Sequence, residues 1–233
     1  MKKSNKILLG GLLTVLLILI SIHVALYAKL KSGDHKIYDE KEKYGNATTS
    51  VFNNIHSVLI RDKANTVLRF GDSLKVMQFS ESDDLNIRQE NGQLIVAGKD
   101  SSKNGKRSGS MVIIQIPAGT EVFVKNAMLR VEASKEPAFT SLQMNLDNAD
   151  AFFGRYAQAV VIDSLKITAT NSSYIDLENV RTQYMEAQLT KSTINELVSV
   201  INQIVLNADD SSRIQMQARH LSRLKVKNTA THE

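Results

Sequence analysis

Six carboxylates in the C-terminal half come closest to carrying chemistry by type and spacing: Asp147, Asp150, Asp176, Glu196, Asp209 and Asp210. Paired carboxylates do acid–base and nucleophilic work in glycoside hydrolysis, and clustered ones hold calcium. Asp176 and Glu196 fall at matching positions of a repeat and would stack on one face. Gln215 takes that place in the next repeat and breaks the column. The expectation is a solvated corner rather than a calcium or catalytic site. The five histidines, His23, His35, His56, His220 and His232, include no pair at metal-ligand spacing. There is no cysteine, which excludes thiol nucleophiles, zinc–thiolate sites and disulfides. No serine stands in a Gly-x-Ser-x-Gly elbow. The sequence therefore assigns no catalytic residue, no cofactor and no metal.

Two clusters suggest binding instead. Phe152, Phe153 and Tyr156 lie in the longest repeat, of 23 residues. They read either as an apolar plug or as a protruding patch for a sugar or a partner. Between Gly98 and Ser110, Lys99, Lys103, Lys106 and Arg107 stand against a lone Asp100. That is a solvated hairpin loop or, in the sharper reading, a basic finger for acidic lipid or glycan. The net charge of +5 is mostly contributed by Lys2, Lys3 and Lys6. The remainder is nearly balanced, so nucleic acid is not an expected partner.

These residues must be positioned by a body of short strands. From Val122 onward a strand-like phrase returns every 19 to 23 residues, beginning at Val122, Leu142, Leu165, Met185, Ile204 and Leu224. Small polar pairs follow at Ser172-Ser173, Ser192-Thr193 and Ser211-Ser212. This period suits a parallel β-helix of ~20-residue coils over 122–228, with inward side chains at alternate positions stacking ~4.8 Å apart. The inward ladder is expected to hold Leu165, Ile167 and Ala169, then Met185, Ala187 and Leu189, then Ile204, Leu206 and Ala208, then Leu224 and Val226. A second face would stack Leu177, Leu197 and Met216. Residues 51–121 read as short antiparallel strands capping one end. Leu85–Glu90 and Gln93–Val96 flank Asn91-Gly92, whose tolerance of positive φ marks a tight hairpin. Gly71-Asp72-Ser73 marks a turn between two further strands, and Met111–Ile116 stops at Pro117.

Ahead of this body, Ile7 to Ala28 contains no Asp, Glu, Lys or Arg. As a helix it would span roughly 33 Å against a hydrocarbon core of about 30 Å. Residues 7–28 are expected to be an uncleaved transmembrane signal anchor. Residues 1–6 would then be cytoplasmic, 29–50 a juxtamembrane spacer and 229–233 a polar tail.

Asn65–Asp100 (NTVLRFGDSLKVMQFSESDDLNIRQENGQLIVAGKD), Met111–Ala133 (MVIIQIPAGTEVFVKNAMLRVEA) and the Ser-containing repeats resemble the bacterial head GIN domain family, also labelled putative auto-transporter adhesin. The resemblance spans about Ile55 to Asn228 and rests on the order of strands, hairpin and repeats. It implies short strands followed by a right-handed β-helix in an exported Gram-negative envelope protein. With the anchor, that means the inner membrane, single-pass, with the C-terminal domain in the periplasm. The family carries no agreed catalytic residues. Its frequent Gly-Ser or Gly-Ala corners are missing here, where the last glycine is Gly154. The expected function is a non-catalytic binding or structural module. Its partners are the membrane, through 7–28, and an envelope protein or glycan. The alternative is a carbohydrate-active β-helix enzyme, a polysaccharide lyase or hydrolase.

Overall fold

The computed structural model describes residues 3–31, 47–62, 64–79, 85–98, 111–133, 139–154, 158–196, 198–221 and 224–228. It divides into two units, Met1–Gly45 and Asn46–Glu233. The first contains helix α1 (Lys3–Lys31). Its interior polar groups bond back along the helix: Ser21 Oγ donates to the Leu17 carbonyl at 2.8 Å, and His23 Nδ1 lies 2.8 Å from that of Leu19. Among the described residues no helix is long and apolar enough to cross a membrane, which overturns the expected transmembrane anchor and the single-pass inner-membrane location.

The second unit consists of two nine-stranded sheets enclosing one hydrophobic core. Sheet I runs β1 (Thr48–Phe52), β4 (Leu74–Gln78), β7 (Met111–Ile116), β3 (Asn65–Phe70), β9 (Met128–Val131), β11 (Asp150–Phe153), β13 (Tyr174–Leu177), β15 (Thr193–Glu196) and β17 (Arg213–Gln215). Sheet II runs β18 (Leu224–Asn228), β16 (Val200–Ala208), β14 (Val180–Leu189), β12 (Val160–Thr170), β10 (Phe139–Asp147), β8 (Glu121–Lys125), β2 (Ser57–Arg61), β6 (Gln93–Gly98) and β5 (Leu85–Glu90). One short helix, α2 (Ala218–Leu221), precedes β18.

Both sheets are mixed, and this corrects the expected parallel β-helix behind an antiparallel cap. Antiparallel pairing joins β1 to β4, β4 to β7 and β5 to β6. The strands read as a cap do not sit apart. β2 pairs in parallel with both β8 and β6, and β3 with both β7 and β9. A parallel pair needs a long crossover, and the segment between β2 and β6 supplies one by carrying β3, β4 and β5. The turn at Gly71-Asp72-Ser73 does separate β3 from β4, yet the two strands are not partners, because β7 lies between them. The Asn91-Gly92 hairpin joins β5 to β6 with φ of 48° and 74° at its two turn residues.

Core rows follow from period-two alternation. Leu142, Leu165, Met185, Ile204 and Leu224 stand in one register row, and Met144, Ile167, Ala187, Leu206 and Val226 in the next. In sheet I a second set runs Val76, Ile114, Leu68, Val131, Phe153, Leu177 and Glu196. The apolar members of these rows whose side chains are described are buried, those larger than alanine each contributing about 1.5–3 kcal/mol. The row places Glu196 across from Leu177, and Leu197, predicted to stack with Leu177 and Met216, lies outside the described residues.

Sharp corners leave sheet II through left-handed backbone at Asp62, Asn126, Asn148, Asn171 and Lys191, with φ between 49° and 59°. Asparagine, which holds three of the five, tolerates this region, and all five corners dispense with glycine. Gly154 instead follows β11 of sheet I. Its φ is 70°, and a Cβ there would overlap the Asn179 carbonyl oxygen.

Candidate functional site

The outer face of sheet I gathers the predicted aromatic residue into a polar setting. Phe152 alternates with inward Ala151 and Phe153 along β11, so it points away from the core, partly exposed. Its register row runs from buried Val67 through Arg130, Phe152, Asp176 and Asn195 to Gln215. Tyr174, two residues before Asp176, tilts against Phe152 with ring centroids 5.9 Å apart and planes at 52°. The Asn195 side-chain amide donates to the Tyr174 hydroxyl at 3.4 Å, while its Oδ1 is buried without a partner among the described residues. Arg130 donates to the Asn65 side chain at 3.4 Å. Further along the face Arg69 and Glu132 form an ion pair at 2.9 Å. A ring pair flanked by amide, guanidinium and carboxylate groups can stack against a flat apolar surface and satisfy hydroxyls around it.

The predicted patch is thereby divided. Phe153 is wholly buried in the core row, Phe152 is on the outer face, and Tyr156 lies outside the described residues. Tyr174 replaces it as the second ring. Its signal was its place just before the inward Ile175 in the repeat, which turns it outward. Lys99, Lys103, Lys106 and Arg107 also lie outside the described residues.

The carboxylates disperse. Asp176 and Glu196 do not stack, because β13 and β15 pair Asp176 with Asn195 and Leu177 with Glu196. A one-residue offset sends the two to opposite faces. Asp150 is exposed on the outer face of β11, and Asp147 and Asp209 sit at corners. Hydrogen bonds from Asn171 and Lys125 hold the Asp147 carboxyl below the usual carboxylate range. The Ser212 hydroxyl and the Lys191 backbone amide do the same for Asp209. Asp210 is exposed. Among the described residues no group of three His, Cys, Asp or Glu side chains could hold a metal ion.

Of the histidines, His56 is exposed and His35 and His232 lie outside the described residues. His220 has a placement that sequence spacing did not signal. It is buried, with Nδ1 2.7 Å from Glu196 Oε2.

No protein-family model matches the chain. No curated protein matches it either. Solved structures do show likeness. A putative adhesin from Bacteroides fragilis is 9% identical, with 78% of this chain and 96% of that one covered at a TM-score of 0.47. A putative adhesin from Parabacteroides distasonis is 9% identical, covering 79% and 94% at 0.45. A putative lipid binding protein from the same species is 12% identical, covering 79% and 97% at 0.29.

Proposed function

We propose that this chain is a non-catalytic binding module whose ligand is a saccharide, held on the outer face of sheet I around Phe152 and Tyr174. The observation that carries this is the tilted, partly exposed ring pair beside Asn195, Arg130 and Asp176. Sugar rings offer an apolar face for stacking and hydroxyls for the amide and charged groups around it. Rigid strands hold the rings in place, so binding needs little reorganisation.

The test is a glycan array probed with the full chain, followed by titration of any bound saccharide against Phe152→Ala and Tyr174→Ala. Each variant is expected to lose at least about tenfold in affinity, or 1.4 kcal/mol, with an unchanged far-ultraviolet dichroism spectrum. Unaltered binding in both variants would remove the face from consideration, and an array without a hit would remove the saccharide.

A further inference from the structure

The core row of sheet I is apolar from Val76 through Leu177 and then ends on a carboxylate, Glu196. The side chains of Glu196 and His220 are each 1% exposed. Besides the 2.7 Å contact with His220, Oε2 accepts from the Gln217 backbone amide at 3.3 Å. Oε1, equally buried, has no partner among the described residues. Arg219, beside His220 on α2, donates to the backbone carbonyls of Val198 at 3.3 Å and Ser199 at 2.8 Å. The segment around α2 thus meets the end of β15 through the His220 contact and the Gln217 amide, and the following loop through Arg219.

Glu196 stands across from buried Leu177 of β13 and two residues after buried Ile194 on its own strand. Asp176 and Arg213 point to the opposite face of sheet I, and Arg219 is engaged with carbonyls. Among the described residues His220 is therefore the titratable group that meets the Glu196 carboxylate. A proton on Glu196 then leaves a buried imidazolium with no counter-charge, which is costly in an apolar setting.

We propose that Glu196 and His220 form an acid-released latch that holds α2 closed over the C-terminal end of the core. The step is one proton added to the carboxylate, with no covalent bond made or broken. Release uncovers the Leu177 end of the row.

Backbone hydrogen exchange of the full chain tests this, at about pH 7.5, 6 and 4, with rates corrected for the intrinsic pH dependence of exchange. In the parent chain, opening at 217–221 should rise about tenfold per pH unit once the carboxylate titrates, as one-proton linkage requires, while β10, β12 and β14 stay protected. In Glu196→Gln the neutral amide can accept from a neutral imidazole but cannot balance its cation. Opening should then begin at a higher pH than in the parent chain. Replacing both partners, Glu196→Leu with His220→Leu, should remove the acid step. The step should persist in Asp147→Asn with Asp209→Asn. Equal protection at all three pH values in the parent chain would overturn the latch, and so would an acid step surviving in the double leucine variant or vanishing with the aspartates. If a latch variant fails to fold, the parent titration alone decides.

Discussion

Leu177 of β13 stands directly across from Glu196 of β15, so an apolar core row closes on a carboxylate held by His220. The pairing explains why Glu196 tolerates burial: His220 and the Gln217 amide share one of its oxygens. Removing one partner is worse than removing both, because a lone buried charge remains. His220→Ala should destabilise the chain by about 3 kcal/mol, and Glu196→Leu with His220→Leu should recover most of that. Urea unfolding at neutral pH, compared by midpoint, checks it. A single variant matching the double would contradict it.

Adjacent phenylalanines on β11 should behave oppositely. Phe153 is fully buried between Val131 and Leu177, and Phe153→Ala should cost about 3–5 kcal/mol through the cavity it leaves. Phe152→Ala, on the outer face, should cost less than about 1.5 kcal/mol, the range of an aromatic pair. Thermal unfolding of the two variants side by side gives the comparison.

Ser199 ties two strands inside the core. Its hydroxyl donates to the Leu177 carbonyl at 2.6 Å and accepts from the Val180 amide at 2.9 Å. Ser199→Ala strands both backbone groups and should cost about 1–3 kcal/mol. Ser199→Thr keeps the hydroxyl, so the cost attributable to lost hydrogen bonds is the difference between the two variants.

Asp147 and Asp209 both have carboxyls held below their ordinary range, by Asn171 with Lys125 and by Ser212 with the Lys191 amide. A depressed carboxyl contributes stability that is complete above its unfolded pKa of about 3.9 and lost as pH falls through the lower folded value. Stability should therefore decline with acid below about pH 4. Asp209→Asn should flatten that part of the profile while lowering stability at neutral pH. Unfolding midpoints measured from pH 7 down to 3 report both effects. A parallel displacement of the whole curve would assign the loss to packing instead.

At the Gly154 corner, φ is 70° and an added Cβ meets the Asn179 carbonyl. Gly154→Ala should destabilise by more than about 1 kcal/mol. Asn171→Gly, at a φ of 55°, should change stability far less, apart from its hydrogen bond to Asp147. The two variants separate backbone strain from side-chain bonding.

Much of sheet II was legible in the chain itself. Leu165, Met185, Ile204 and Leu224 recur with apolar residues two positions on, and burial of one face specifies a register to the residue. Asn91-Gly92 likewise announces its hairpin through the one backbone region that these residues share. Such signals are local: they depend on alternation and turn chemistry over a few residues.

Tertiary structure decided the rest. The insertion of β7 between β3 and β4, and of β2 between β8 and β6, depends on which edges remain open after distant segments pair. Alternation within one strand carries no record of that competition. The same holds at the candidate sites. Phe152 meets Tyr174 across one strand pairing, and a single-residue offset separates Asp176 from Glu196. His220 reaches Glu196 only because α2 turns the chain back over the core. Sequence alone determined which residues alternate toward a buried face. Which of them touch was decided by register and crossover, since both are set by burial summed over the whole core.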